Sequence, residues 1–159
     1  MEIRKGIYTV YNGIEMLVEE YYGHGISDPK IENHRRISYK KELGNLDGFK
    51  LDYKTNFFFK DIHIDELKNA FTVETKGKYH NEIFSLWGYN KKRNVIGLIT
   101  NNEKIARKFD FIKLSEGYIK EINPYLLDII WEERTKSKLN LPIPKEIKKK
   151  KIIYQNELS

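Results

Sequence analysis

"FKDIHIDELKNAFTVETK", residues 59–76, reads against "IKEINPYLLDIIWEERTK", residues 119–136, without a gap. Lys60/Lys120, Ile62/Ile122, Leu67/Leu127, Thr75/Thr135 and Lys76/Lys136 are identical, and Phe59/Ile119, Asp61/Glu121 and Phe71/Trp131 keep their character. Self-similarity at a fixed offset marks a repeated structural unit. Working outward, "GFKLDYKTNFFF" (48–59) is answered by "DFIKLSEGYI" (110–119) with two residues deleted in the turn, so Phe49 falls on Phe111. "YNGIEMLVEEY" (11–21) is answered by "YHNEIFSLWGY" (79–89), which places Met16 on Phe84 and Val18 on Leu86.

Within each copy the apolar period is mostly two, the signature of strands with one buried face. Asn12-Gly13 predicts a tight hairpin turn, because both central residues of that turn favour positive φ; His80-Asn81 repeats it with weaker turn chemistry. Asn101 or Asn102 can cap a short helix over "EKIARK", whereas the counterpart "KKELGNLDGF" is broken by Gly44 and predicts one turn at most. "DEL" and "PYLL" each read as a single helical turn before a last strand. Five short strands with one-turn helices predict a mainly β chain: two tandem SH3-like small barrels from an internal duplication, packed closely. The expected boundaries are residues 1–70, residues 71–141, and a basic tail over 142–159. Positions that stay apolar in both copies are the expected core: Met16/Phe84, Val18/Leu86, Phe49/Phe111, Phe58/Tyr118, Ile62/Ile122, Leu67/Leu127 and Phe71/Trp131.

The 159 residues carry a net charge of +6, which at first points to nucleic acid. Half of it lies beyond residue 144, where five lysines face two glutamates, so the body carries no strong electrostatic footprint. A lysine-rich segment after "LPIP" is expected to be a solvated tail. The absence of cysteine excludes a disulfide framework, a thiolate metal site and a cysteine nucleophile. No apolar run reaches the roughly 20 residues that span a bilayer, and the N-terminus lacks the apolar region of a cleaved leader. The expected localisation is cytoplasmic, with no membrane partner.

Few residues suggest chemistry. Asp61, His63 and Asp65 alternate on one strand face and could ligate a divalent cation, but their counterparts are Glu121, Asn123 and Tyr125, and Asp65 is a natural helix cap. The expectation is no metal and no cofactor. His24 sits in a glycine-bracketed loop with Asp28, without a companion nucleophile. No phosphate-cradling, dinucleotide or nucleophile-elbow motif is present, so the chain is expected not to be an enzyme. The aromatics carry more weight. Tyr21, Trp87 and Tyr89 point away from the core on the strand phase set by Met16 and Phe84. With Tyr22, His24, Lys91, Lys92 and Arg93 they form the candidate binding residues. Exposed aromatics beside basic loops anchor a protein interface, stack on single-stranded nucleic acid, or fill a seam between units.

Gly6-Ile7-Tyr8, Tyr11-Asn12-Gly13, Gly48-Phe49, Lys60, Leu67, Tyr118-Ile119-Lys120 and Trp131-Glu132-Glu133-Arg134 together cover most of the chain. In this pattern the chain resembles small two-repeat proteins of low-GC Gram-positive bacteria, the immunity proteins of polymorphic-toxin loci. The insertion 27–41 and the lysine tail depart from that pattern. The resemblance implies a non-enzymatic protein-binding module that neutralises a toxin domain, and it brings no catalytic residues with it. The alternative reading is a nucleic-acid or ribosome-associated binding protein.

Overall fold

The structure, a computed structural model, describes residues 1–20 and 33–157. The chain is mainly β and separates into two compact units. The first unit comprises Gly6–Thr72 and Thr135–Ile147; the second comprises Met1–Lys5, Val73–Arg134 and Lys148–Ser159.

The first unit contains β1 (Lys5–Tyr11, from Gly6 onward), β2 (Ile14–Glu20), β3 (His34–Lys40), β4 (Lys50–Asp52) and β5 (Phe57–His63). They form an antiparallel sheet in the order β4-β5-β3-β2-β1. Asn12 and Gly13 adopt φ of 50° and 75°, joining β1 to β2 with Tyr11 opposite Ile14. This is the turn that the dipeptide predicts. The alternating inward side chains Met16, Val18, Ile37 and Ile62 meet Tyr39, Phe49 and Leu67 in one buried cluster, against which Phe58 packs at partial burial. Phe71, at the start of the next strand, is also buried and stacks on Tyr8.

The second unit contains β6 (Phe71–Tyr79, from Val73), β7 (Glu82–Asn90), β8 (Val95–Thr100), β9 (Ile112–Leu114), β10 (Gly117–Ile122), β11 (Ile129–Thr135, to Arg134) and β12 (Lys150–Gln155). Its order is β9-β10-β8-β7-β6-β11-β12. From β9 to β6 it matches the first unit strand for strand. The one-turn helices match too: Ile64–Glu66 follows β5 and Pro124–Leu126 follows β10 at the same offset as the sequence repeat. The helix α1 (Glu103–Lys108) is capped by Asn102, whose side chain accepts from Ile105 N, and a single turn at Lys41–Leu43 takes its place in the first unit. The His80-Asn81 turn forms without glycine, at φ of 47° and 65°. Packing offsets the weaker turn chemistry: the His80 ring stacks on Phe109 with centroids 5.6 Å apart. Phe84, Leu86, Ile96, Leu98, Ile122, Leu127 and Ile130 form the second core, with Phe111 packed against it. Tyr118, expected in that core, is only half-buried and outside it.

Neither sheet is a closed barrel. Among the described residues the strand orders end at outer strands: β4 lies along β5, β9 along β10, and β12 along β11. The last of these pairings corrects the solvated-tail expectation. Lys150 and Lys151 stand opposite Glu133 and Glu132 on β12, an outer strand of its sheet among the described residues. Lysines on an edge strand hinder edge-to-edge association of sheets. The segment before β12 is also tied down, since Ala70 N donates to Pro142 O at 3.2 Å.

Candidate functional site

The site grows from one irregularity in β7. Leu86 stands opposite Leu98 and Tyr89 opposite Ile96, so Trp87 and Gly88 together oppose the single residue Gly97. This is a β-bulge. Gly88 supplies its positive φ of 83°. Gly97 supplies clearance, because a Cβ there would lie 3.1 Å from the Trp87 carbonyl oxygen. The bulge leaves Trp87 57% exposed at the rim of an open groove of about 570 Å³. Val95, Gly97 and Ile119 contribute to its lining, as do Trp87, Tyr89, Lys91, Lys92 and Glu121.

The extra residue also re-phases everything beyond it, which corrects one expectation. Tyr89 does not point away from the core: its half-buried ring packs against the second core, and its hydroxyl donates to Asn94 Oδ1 at 3.0 Å. A single-residue shift exchanges the two faces of a strand. The β7–β8 turn is held by Arg93 N donating to Asn90 Oδ1 at 3.1 Å. Arg93 reaches from this turn to Glu121 at 2.7 Å, an ion pair exposed on both sides. Lys91 and Lys92 are exposed and form no ion pair among the described residues. Trp87, Tyr89, Lys91 and Lys92 are thus brought together, with Arg93 at the margin. Tyr21, Tyr22 and His24 lie outside the described residues. Sequence reasoning missed Ile119, Glu121 and Gly97 as groove residues. An isolated glycine in a strand is the signal that could have found Gly97.

The first unit has a smaller hollow of about 150 Å³ on the corresponding face, lined among others by Glu19, Arg36 and Phe59. Val18 opposite Ile37 corresponds to Leu86 opposite Leu98, and Ile37 opposite Lys60 to Leu98 opposite Lys120. On that register Arg36, Phe59 and Asp61 occupy the places of Gly97, Ile119 and Glu121. Arg36 lies over the Phe59 ring at 4.1 Å and holds Asp61 through paired bonds of 2.8 and 3.1 Å.

The other constellations are structural. Asp61 is taken by Arg36, and His63 caps the one-turn helix: its Nδ1 accepts from Asp65 N at 3.2 Å, and its own N–H donates to Glu66 at 2.7 Å. Among the described residues no group of three or more His, Cys, Asp or Glu could hold a metal ion. The "WEER" run is also folding hardware. Glu132, 4% exposed, receives Arg4 through two bonds of 2.8 Å and Arg134 through bonds of 3.0 and 2.8 Å. Burial pushes the Glu132 carboxyl up, but the bonds from Arg4 and Arg134 outweigh it and hold the group below its ordinary value. Glu133 is held down first by its hydrogen bond to Lys76, which it raises in turn. Trp131 is buried, with Lys150 Nζ 4.5 Å from its ring. Among the described residues no helix is long and apolar enough to cross a membrane.

Fold and site define a mainly β protein of two units, one of which carries an open groove of mixed aromatic, apolar and basic character. The chain belongs to the family described as Uncharacterised conserved protein UCP033725, whose model matches residues 3–139. Comparison with curated proteins and with solved structures finds no match.

Proposed function

We propose that the protein is a non-enzymatic, cytoplasmic protein-binding module whose interface is the Trp87 groove. In this reading the two units are diverged copies of one SH3-like strand plan, produced by internal duplication. Their matching strand order and the single helical turn after β5 and β10 support it. The role is that of an immunity protein neutralising a toxin domain, supported by the resemblance carried by residues 6–8, 11–13 and 131–134.

One observation carries the reading: a large exposed tryptophan stands beside an apolar floor on a frame of strands and a braced turn. Tryptophan is enriched among the few residues that dominate binding energy, and a rigid frame reduces the ordering cost of association. The alternative, stacking on single-stranded nucleic acid, draws on the same Trp87 with Lys91 and Lys92. It is weakened by Tyr89 packing inward and by the carboxylate of Glu121 at the groove.

The test is calorimetric titration with the product of the adjacent gene, alongside growth rescue from its toxicity. Trp87→Ala should weaken binding by about 2 kcal/mol or more, roughly 30-fold, and lower rescue in step. An unchanged affinity removes the groove from the interface. Absence of any complex, together with oligonucleotide binding that collapses steeply as salt rises, transfers the site to the alternative.

A further inference from the structure

The same register position exists in this chain in a filled and an emptied form. In the first unit Arg36 covers the Phe59 ring and pairs with Asp61. In the second unit the position of Arg36 is Gly97, which the bulge at Trp87 requires for clearance. The arginine–carboxylate pair survives, but its arginine now comes from the turn, as Arg93 on Glu121. The acid is therefore already satisfied, and with glycine in place of arginine the hollow beside the buried Ile119 widens to about 570 Å³, against about 150 Å³ in the first unit. A groove whose own side chain has been withdrawn is shaped to receive one from outside.

Charge selects the occupant. With Glu121 engaged by Arg93, the groove's remaining charges are Lys91 and Lys92, exposed and without an ion pair among the described residues. A cationic anchor would meet like charge, and complementary potentials set which partners dock. From this geometry we infer that the groove receives one large apolar side chain, aromatic or long aliphatic, from a partner segment whose flanking residues are acidic. The carboxylates lie against Lys91 and Lys92, and the anchor sits in the groove against the exposed Trp87 ring. This rests on the protein-binding reading above and specifies its ligand.

The probe is a phage-displayed library of random peptides selected against the whole chain, followed by fluorescence anisotropy with synthetic copies of the enriched sequences. Trp87→Ala and the double change Lys91→Glu/Lys92→Glu alter exposed side chains, so unchanged far-UV circular dichroism will certify the fold. The expected result is enrichment of acidic sequences with a single Trp, Phe, Leu or Met anchor. Each variant should lower affinity at least tenfold, and the charge-reversed protein should instead select basic sequences. Enriched sequences that are basic or carry no charge bias, yet still need Trp87, overturn the acidic partner and leave the groove as a binding site. Binding indifferent to Trp87, or no enrichment, overturns both. Trp87-dependent binding of an oligothymidylate in place of peptides overturns the inference in favour of nucleic acid.

Discussion

Replacing Glu132 by glutamine exchanges one carboxylate oxygen for an amide nitrogen and should be among the most damaging substitutions of a buried polar group in the second unit. Four guanidinium bonds of 2.8 to 3.0 Å converge on the carboxylate. The arginine side chains that supply them are 12% and 4% exposed. Glutamine keeps one acceptor oxygen and turns two donors toward groups that are themselves donors, removing the carboxylate charge from between two buried guanidinium groups. Breaking a buried pair in this way costs about 3–5 kcal/mol. For a chain of this size that is a fall of about 6–20 °C in melting temperature. Thermal and urea unfolding followed by circular dichroism measure it. Arg4→Met added to Glu132→Gln removes one of these cations, so the double variant should be less damaged than the sum of the single changes. Because Glu132 is held below its ordinary value of 4.5, its stabilisation is complete above that pH and is lost as pH falls through the lower folded-state value. The wild-type advantage over Glu132→Gln should therefore shrink on acidification. A Glu132→Gln protein within about 1 kcal/mol of wild type, or one whose deficit does not depend on pH, would refute the reasoning.

Three further outcomes follow from the packing. Phe84→Ala, at the centre of the second core beside Phe109 and Phe111, should cost about 3–5 kcal/mol in urea unfolding; a loss below about 1 kcal/mol would contradict that core. Gly117→Ala should destabilise by more than about 1 kcal/mol, since φ is +137° and the new Cβ would lie 2.7 Å from Asn101 Oδ1; a neutral result would place that turn elsewhere. Arg36→Ala should cost only about 1 kcal/mol, because its pair with Asp61 is 31% and 40% exposed; a cost above about 3 kcal/mol would mean a buried role.

Local chemistry was readable in the sequence, and pairing over long separations was not. Asn12-Gly13 specifies its own turn, Asn102 its own helix start, and the period of two separates Met16, Val18, Phe84 and Leu86 from their polar neighbours. Each of those signals lies within a few residues of its effect. Tyr89 was assigned to the wrong face because one inserted residue at Trp87-Gly88 reverses the phase, and only the register against β8 reveals it. The lysine segment looked like a tail because composition does not report a strand partner; β12 finds β11 across an intervening stretch of chain. The role of Glu132 was not legible in the "WEER" run, because Arg4 reaches its carboxylate from 128 residues away. The groove was half legible: Trp87, Lys91 and Lys92 are adjacent in sequence, but Ile119 and Glu121 reach it only through the β8–β10 pairing.

Acrylamide quenching of tryptophan fluorescence in the complex with the protein partner tests the Trp87 interface most directly. Trp131 is 5% exposed and Trp87 57% exposed, so the quenchable emission of the free protein belongs to Trp87. On saturation with the partner the quenching constant should fall several-fold and the emission should shift to shorter wavelength. A saturated complex in which Trp87 stays as accessible as in the free protein would contradict the account.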